Sequence, residues 1–399
     1  MKTDLFLLAM GCAIIIIFSN GCKSDSSVPV IPTVNFEEAR SNRQGLLLSD
    51  YVEDLKFIRL ETNESCLTGG SNINHLFSND YLMVSQSRTP LLVFNADGKF
   101  VRSVGTIGRG PGEIPESYNF TFNPTDSTIL FFSSVRESIS VYSIHGNYLR
   151  DISLGHGLLS LKYLYEDLFY AGLNLVPEAD TLGYNHIIFN SKGEVVEKYR
   201  LKGYTQPNFG SAEYTAYITP RPIAKVIDGE VFIYSTFNDT IFKISKDKEI
   251  VPVITWDKGS LTPPGGLTSN VTMSISERRN YLFELGDFGK MGHYWFFGVP
   301  FPNDYSIIVY DELSGEAFNH IRGTNDIDGT VWTFPHFGRV FNNTFVSLYS
   351  PRSLRRMMES GRYDIDEIAY PDRNKAFKEM VLTLDDDDNP VAAVFTLKR

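Results

Sequence analysis

The chain reads as an all-β protein, a six-bladed β-propeller, and three observations predict it. The first is a recurring hairpin phrase. Leu91–Val101 reads LLVFNADGKFV, Ile139–Leu149 reads ISVYSIHGNYL and His186–Val196 reads HIIFNSKGEVV. Thr240–Val251 (TIFKISKDKEIV) and Ile307–Phe318 (IIVYDELSGEAF) are looser copies. Each is an apolar β run, a tight turn and a second β run, so one supersecondary unit is used repeatedly. The second is spacing: the turn glycines Gly98, Gly146 and Gly193 lie 48 and 47 residues apart, close to the roughly 40–50 residues of a four-stranded blade. The third is that helical periodicity is scarce before about residue 350. Short runs rich in Val, Ile, Phe and Tyr, punctuated by Gly, Asn, Asp and Pro, dominate instead.

From the N-terminus, Met1-Lys2, the apolar stretch Leu5–Phe18 and Ser19-Asn20-Gly21-Cys22 have the layout of a bacterial lipoprotein signal. The apolar stretch is too short to span a bilayer comfortably and suits a signal-peptide core. Cleavage after Gly21 gives a signal peptide over 1–21 and makes Cys22 the lipidation site, with acyl chains as the anchor. Residues 22–45 read as a tether, beginning with the Ser/Pro-rich Lys23–Thr33. Residues 46–399 read as the propeller.

With strands labelled A to D from the axis outward, the recurring hairpin is C–D. The second blade shows all four strands, Tyr118–Asn123, Thr128–Ser133, Ile139–Ile144 and Tyr148–Leu154. The sixth is split: Asn343–Ser350 supplies B, Val391–Lys398 supplies C, and the isolated run Val52–Leu60 supplies the outer strand. Such closure joins the two ends of the chain and hides a sheet edge.

That geometry sorts the connections. A–B and C–D turns fall on one face, and B–C and D–A loops on the other. The long segments Gly105–Ser117, Lys202–Pro222, Lys258–Asn280 and Gly323–His336 are all D–A, while Leu175–Asn185 and Pro351–Pro390 are B–C. Insertions gathered on one face of a repeat protein point to a binding side. The last, about 351–390, carries helical spacing at Ser353–Ser360 and Asn374–Leu384, and Leu354, Met357 and Met358 are expected to pack down on the propeller.

The net charge of −11 argues against a nucleic-acid partner, because no basic run exceeds Arg355-Arg356. Of three cysteines, Cys12 leaves with the signal and Cys22 is lipidated, so Cys66 remains alone and reads as a small buried hydrophobe. The seven histidines show no HxH or HxxxH spacing, so no zinc site is indicated, and no cofactor motif is present. Asp385–Asp388 reads as a solvated turn, since calcium loops need spaced ligands and a Gly.

Val104–Glu113 (VGTIGRGPGE) follows a strand ending NADGKFVRS; Asn238-Asp239-Thr240-Ile241, Asn325–Gly329 (NDIDG) and Asp388-Asn389-Pro390 come later. In this order they resemble the six-bladed β-propeller lipoproteins of Bacteroidota, distantly similar to NHL-repeat proteins. The resemblance implies a propeller in the cell envelope. It implies no common catalytic residues.

Candidate ligand-binding residues come from the loop face. Arg109 sits in GRGPGE, which lacks the Lys-Ser/Thr and following helix of a phosphate-cradling loop and reads instead as a turn back to the axis. Tyr217 and Arg221 lie in the fourth D–A loop. Asp326–His336 (DIDGTVWTFPH) gathers Asp326, Asp328, Trp332 and His336. Carboxylates beside aromatic faces suit a sugar. The same stretch also fits an Asx-turn with aromatic packing between the last and first blades. Its DIDGTVW resembles the Asp-box of sialidases, but the spacing differs and only one copy exists. The reading is therefore an envelope-anchored binding module for a glycan, peptide or partner protein, touching the membrane only through its lipid. The alternative is a polysaccharide hydrolase or lyase working at the channel mouth.

A Cys22→Ser variant is expected to lose incorporation of labelled palmitate and to move from the membrane to the soluble fraction of cells. Undiminished labelling would place the lipid elsewhere.

Overall fold

The computed structural model describes residues 31–398, except 69–72, 79, 87–88, 134–135, 174–183, 202–221, 228, 236–237, 264–278, 303, 333–339 and 342. Residues from Pro32 onward form one compact unit. Cys22, Tyr217, Arg221 and His336 lie outside the described residues.

The chain enters as a belt. β1 (Thr33–Asn35), a short helix α1 (Phe36–Ser41), β2 (Arg43–Leu47) and β3 (Val52–Arg59) precede the repeats. Then come β4 (Ile73–Ser78), β5 (Tyr81–Gln86), β6 (Leu91–Asn95) and β7 (Phe100–Val104). The next four are β8 (Phe120–Asn123), β9 (Thr128–Phe131), β10 (Ser138–Ser143) and β11 (Tyr148–Ser153). They are followed by β12 (Leu158–Tyr165), β13 (Leu168–Leu173), β14 (His186–Asn190) and β15 (Val195–Tyr199). β16 (Pro222–Ile227), β17 (Glu230–Ser235), β18 (Thr240–Ile244) and β19 (Ile250–Asp257) make a further set, as do β20 (Asp287–Met291), β21 (Tyr294–Val299), β22 (Ser306–Asp311) and β23 (Ala317–Thr324). The chain closes with β24 (Val340–Phe341), β25 (Thr344–Tyr349), two helices α2 (Pro351–Glu359) and α3 (Pro371–Leu382), and β26 (Val391–Leu397).

The described strands pair into six sheets. Four are consecutive antiparallel meanders extended or not by the belt; a fifth, β12–β15, is likewise a meander, and the last runs β24-β25-β26-β3. The first strands of different sheets touch: β12 meets β8 and β16, β16 meets β20 and β24, and β24 meets β4. They therefore gather at the centre, and the architecture is an all-β propeller with a small helical region near the C-terminus.

Each recurring hairpin is one outer pair of strands. Gly98, Gly146 and Gly193 sit at φ +77°, +91° and +86°, a region open to glycine without a Cβ penalty. At Gly98 a Cβ would also lie 2.3 Å from the Arg59 carbonyl oxygen. The fourth copy lacks the glycine and places Lys248 at φ +64° instead. The flanking polar residue repeats too: Asn95 Oδ1 accepts from the Asp97 and Lys99 amides, and Asn190 Oδ1 from those of Lys192 and Glu194.

β3 pairs antiparallel with β26, from Val52↔Leu397 to Arg59↔Val391, so the two ends of the chain share one sheet. Leu55 and Phe395 are buried on this seam in a common core. Where the expected tether over 22–45 is described, from residue 33 on, the belt takes its place. β1 pairs in parallel with β19, and β2 with β23, as fifth outer strands. Phe36 explains why: it is fully buried, 5.7 Å from the Trp256 ring and 5.6 Å from Phe297. Asn35 caps α1 by accepting from the Glu38 amide at 3.0 Å.

The helical insertion falls where expected, with each helix starting at a proline in its first turn, where no amide hydrogen is missed. Leu354 is buried and Met357 and Met358 pack against the same core. Cys66 is buried, and burial pushes its thiol pKa up. Asp388 bonds the Asp385 amide and pairs with Arg59 at 2.8 Å.

Leu55→Ala is expected to cost about 3 kcal/mol in urea denaturation, the range for truncating a buried leucine. His186 supplies a second test. It is fully buried between the Tyr170 hydroxyl (2.7 Å) and Ser235 Oγ (3.2 Å), and burial lowers its pKa to about 3. The unfolded chain therefore takes up a proton below about pH 6.5 that the folded chain refuses. Stability is full above that pH and falls by about 1.4 kcal/mol per unit between roughly 6.5 and 3. His186→Gln is expected to flatten part of that acid limb in denaturation measured across pH.

Candidate functional site

Strand order fixes where the loops lie. The inner turns β4–β5, β8–β9, β12–β13, β16–β17, β20–β21 and β24–β25, and the outer turns of the recurring hairpins, are short and share one face. Every long connection between described strands, including the helical insertion, leaves from the opposite face. Two segments of that face are well described.

The GRGPGE segment is rigidly built. Gly108 donates to the Ile114 carbonyl (2.9 Å) and the Ile114 amide to the Thr106 carbonyl (2.8 Å). The Glu113 carboxylate turns inward and accepts from the Gly110 amide at 2.7 Å. A Cβ on Gly108 would collide with that carboxylate. Arg136 holds the Glu113 carbonyl at 2.8 Å, and the Tyr142 hydroxyl donates to the Gly112 carbonyl. Arg109 is exposed on this frame and makes no hydrogen bond or ion pair with described residues. The segment thus fixes the backbone at Arg109 and leaves its side chain exposed. Below it Ile114, Phe131, Phe132, Arg136 and Ser140 line a small cleft of about 10 Å³, room for about one water.

The Asp326–Trp332 segment is turned inward. Asp326 accepts from the Ser49 amide at 3.0 Å and the Ser49 hydroxyl at 2.5 Å. Asp328 is 1% exposed; its Oδ1 accepts from Asn325 Nδ2 (2.7 Å), the Thr330 hydroxyl (2.6 Å) and the Thr330 amide (3.1 Å). Asn325 Oδ1 accepts from the Ile327 and Asp328 amides, which is the Asx-turn. Trp332 is half-buried and stacks on His320 at 5.1 Å. Gly323 leaves the space: a Cβ there would meet the indole at 1.8 Å. The helical insertion binds the same loop, with Asn374 Nδ2 on the Asp328 carbonyl and the Ala369 and Tyr370 amides on the Asp326 and Ile327 carbonyls. Of the proposed ligand residues described, Asp326, Asp328 and Trp332 come together to hold belt, loop and helices, while Arg109 lies apart, on a different loop.

Sequence reading passed over one cluster. Lys225 on β16 pairs with Asp287 on β20 at 2.7 Å, with side chains 15% and 18% exposed. Lys162 on β12 acts on the same carboxylate, yet burial dominates and pushes the Asp287 pKa up. The signal available in the sequence was a charge inside an apolar inner strand, at Lys162 (LLSLKYLY) and Lys225 (PIAKVI). A second buried cation, Lys258, is 2% exposed and pairs with Asp239 at 2.6 Å; burial lowers its pKa.

Asn325→Ala is expected to cost about 2–4 kcal/mol, because it strands buried amides and the Asp328 carboxylate, and to expose the α2–α3 region to limited proteolysis. Arg109→Ala is expected to shift stability by less than about 0.5 kcal/mol in the same denaturation assay.

No helix among the described residues is long and apolar enough to cross a membrane. No curated protein matches the chain. Among solved structures, a Bacteroides fragilis protein described as exported is similar, with 16% identity, a TM-score of 0.63, and coverage of 90% of this chain and 99% of that one. A DUF4221-family protein from Bacteroides vulgatus is similar at 11% identity and a TM-score of 0.44, covering 87% and 98%. At these identities the likeness concerns fold alone. A family model described as a domain of unknown function, DUF4934, matches residues 31–396, and the chain belongs to that family.

Proposed function

We propose that this chain is an envelope protein, lipid-anchored through Cys22, whose propeller is a binding module for a glycan, peptide or partner protein. The six sheets are read as six blades of one ring, the last closed by β3. The observation that carries the reading is the one-sided placement of long connections, together with the GRGPGE frame that leaves Arg109 exposed on that side. The similar Bacteroides fragilis protein, described as exported, supports a place outside the cytoplasm. Tyr217, Arg221 and His336, which lie outside the described residues, are proposed from sequence order to contribute to the same face.

Binding is preferred to polysaccharide hydrolysis or cleavage for a physical reason. Paired carboxylates at one pocket would favour an enzyme. Asp326 and Asp328 are instead engaged by hydroxyl and amide donors of the fold itself. Pull-down and glycan-array screens with residues 31–399 test the reading. Arg109→Glu is expected to weaken a captured ligand at least tenfold, with an unchanged melting temperature. A ligand that binds Arg109→Glu and wild type alike would move the contact surface off this loop.

A further inference from the structure

Where the belt turns into β3, three backbone amides are held by side chains. Leu46 donates to His320 Nδ1 at 3.2 Å, Leu47 to Asp50 Oδ2 at 2.8 Å and Ser49 to Asp326 Oδ1 at 3.0 Å. The first bond comes just past a break in the ladder, since the register of β2 on β23 shifts between Gln44 and Gly45. Little else secures β2. It is an outermost strand, and of its five residues only Leu46 is buried. The elements on either side are anchored separately, α1 through Phe36 and β3 through β26. His320 itself is 5% exposed and stacks on Trp332. An amide can only donate, so Nδ1 must carry no proton for the Leu46 bond to exist. Burial alone lowers the His320 pKa, to about 4, against about 6.5 for a solvated histidine. The elements around it carry few charges that are free to offset a proton. Asp50 and Asp326 hold the amides named above, and Asp328 accepts from Asn325 and Thr330. Asp311 on β22 lies beyond Tyr310, which pairs with Ala317 at the far end of β23. On α1, Glu37 is taken by Ser260, Arg40 by Asp304, and Glu38 is exposed. Arg43 on β2 is exposed, and the backbone of Arg322 pairs with Gly45. A protonated carboxyl keeps an acceptor oxygen, whereas a protonated imidazole nitrogen accepts nothing. His320 is therefore the pin that a proton removes.

We propose that the His320–Leu46 bond is an acid-sensitive latch on β2, and that protonation of the imidazole frees this strand from β23 while α1, β3 and the sheets stay folded. Freeing β2 uncovers the outer edge of β23, a row of backbone groups that the strand otherwise pairs. The window follows from linkage. The open state takes up the proton below about pH 6.5 and the closed state only below about 4, so closure is complete above the first value and weakens as pH falls toward the second.

Native-state hydrogen exchange on the full chain tests the latch, with intrinsic rates corrected at each pH and β21 and β22 as reporters of global unfolding. The opening equilibrium at the Gly45–Leu47 amides is expected to rise about 30-fold from about pH 7.5 to about pH 5, and to stay well above global unfolding at both. His320→Gln keeps a side-chain oxygen that can accept from Leu46 but does not titrate, and is expected to leave the opening of β2 flat over that range. Exchange of β2 with the same free energy as β21 and β22, opening of the wild-type strand that ignores pH, or an undiminished rise in His320→Gln overturns the latch. Should His320→Gln fold poorly, the wild-type comparison of β2 with β21 and β22 at the two pH values decides by itself.

Discussion

The pairing of β3 with β26 is the constraint on which the rest depends. Seven residues near the C-terminus find their outer partner more than 300 positions earlier in sequence. Without it β26 would present an open, largely apolar edge, Val391–Leu397, to solvent. The pairing also places the belt, because β1 and β2 lead into β3 and are laid in parallel on β19 and β23 on the way. The helical insertion, which separates β25 from β26, is then held against β3 itself: Phe57 meets Phe377 at 4.3 Å and Asp54 pairs with Arg373 at 2.6 Å.

The same constraint explains why the most ligand-like phrase became internal. Two pieces distant in sequence converge on Asn325–Trp332, which is itself folded by its Asx-turn: the belt at Ser49 and the helices at Asn374. Most buried polar atoms in proteins are partnered, and here Asn325 and Thr330 both donate to Asp328 Oδ1, while its buried Oδ2 has no hydrogen-bond partner among the described residues. The residues that make a good sugar platform also make a good polar staple. Exposure decides between these uses, and at 1% for Asp328 it decides for the staple.

Much of the fold was legible because repetition is a strong signal. The five hairpin phrases became β6–β7, β10–β11, β14–β15, β18–β19 and β22–β23, and Val52–Leu60 found its place beside β26. The belt was not legible. Thr33–Asn35 and Arg43–Leu47 are short, follow a Ser/Pro-rich run, and owe their strand form to the edges they join rather than to alternation. α1 is six residues long, and its burial depends on Phe36 meeting Trp256 and Phe297. The candidate site was legible only in part. Sequence order identified the loop face and Arg109, but whether a carboxylate turns outward or inward depends on partners such as Ser49 that lie nearly 280 positions away. The axial lysines were missed because apolar alternation in β12 and β16 drew attention to their neighbours.

β3 is an integral strand of the sheet that also holds the C-terminal β26. Native-state hydrogen exchange puts this to the test. The amides of β3 and β26 are expected to exchange together, through global unfolding, with one common free energy. Rapid exchange along Val52–Arg59 while Val391–Leu397 remained protected would contradict it, for the strand would then be a detachable strap.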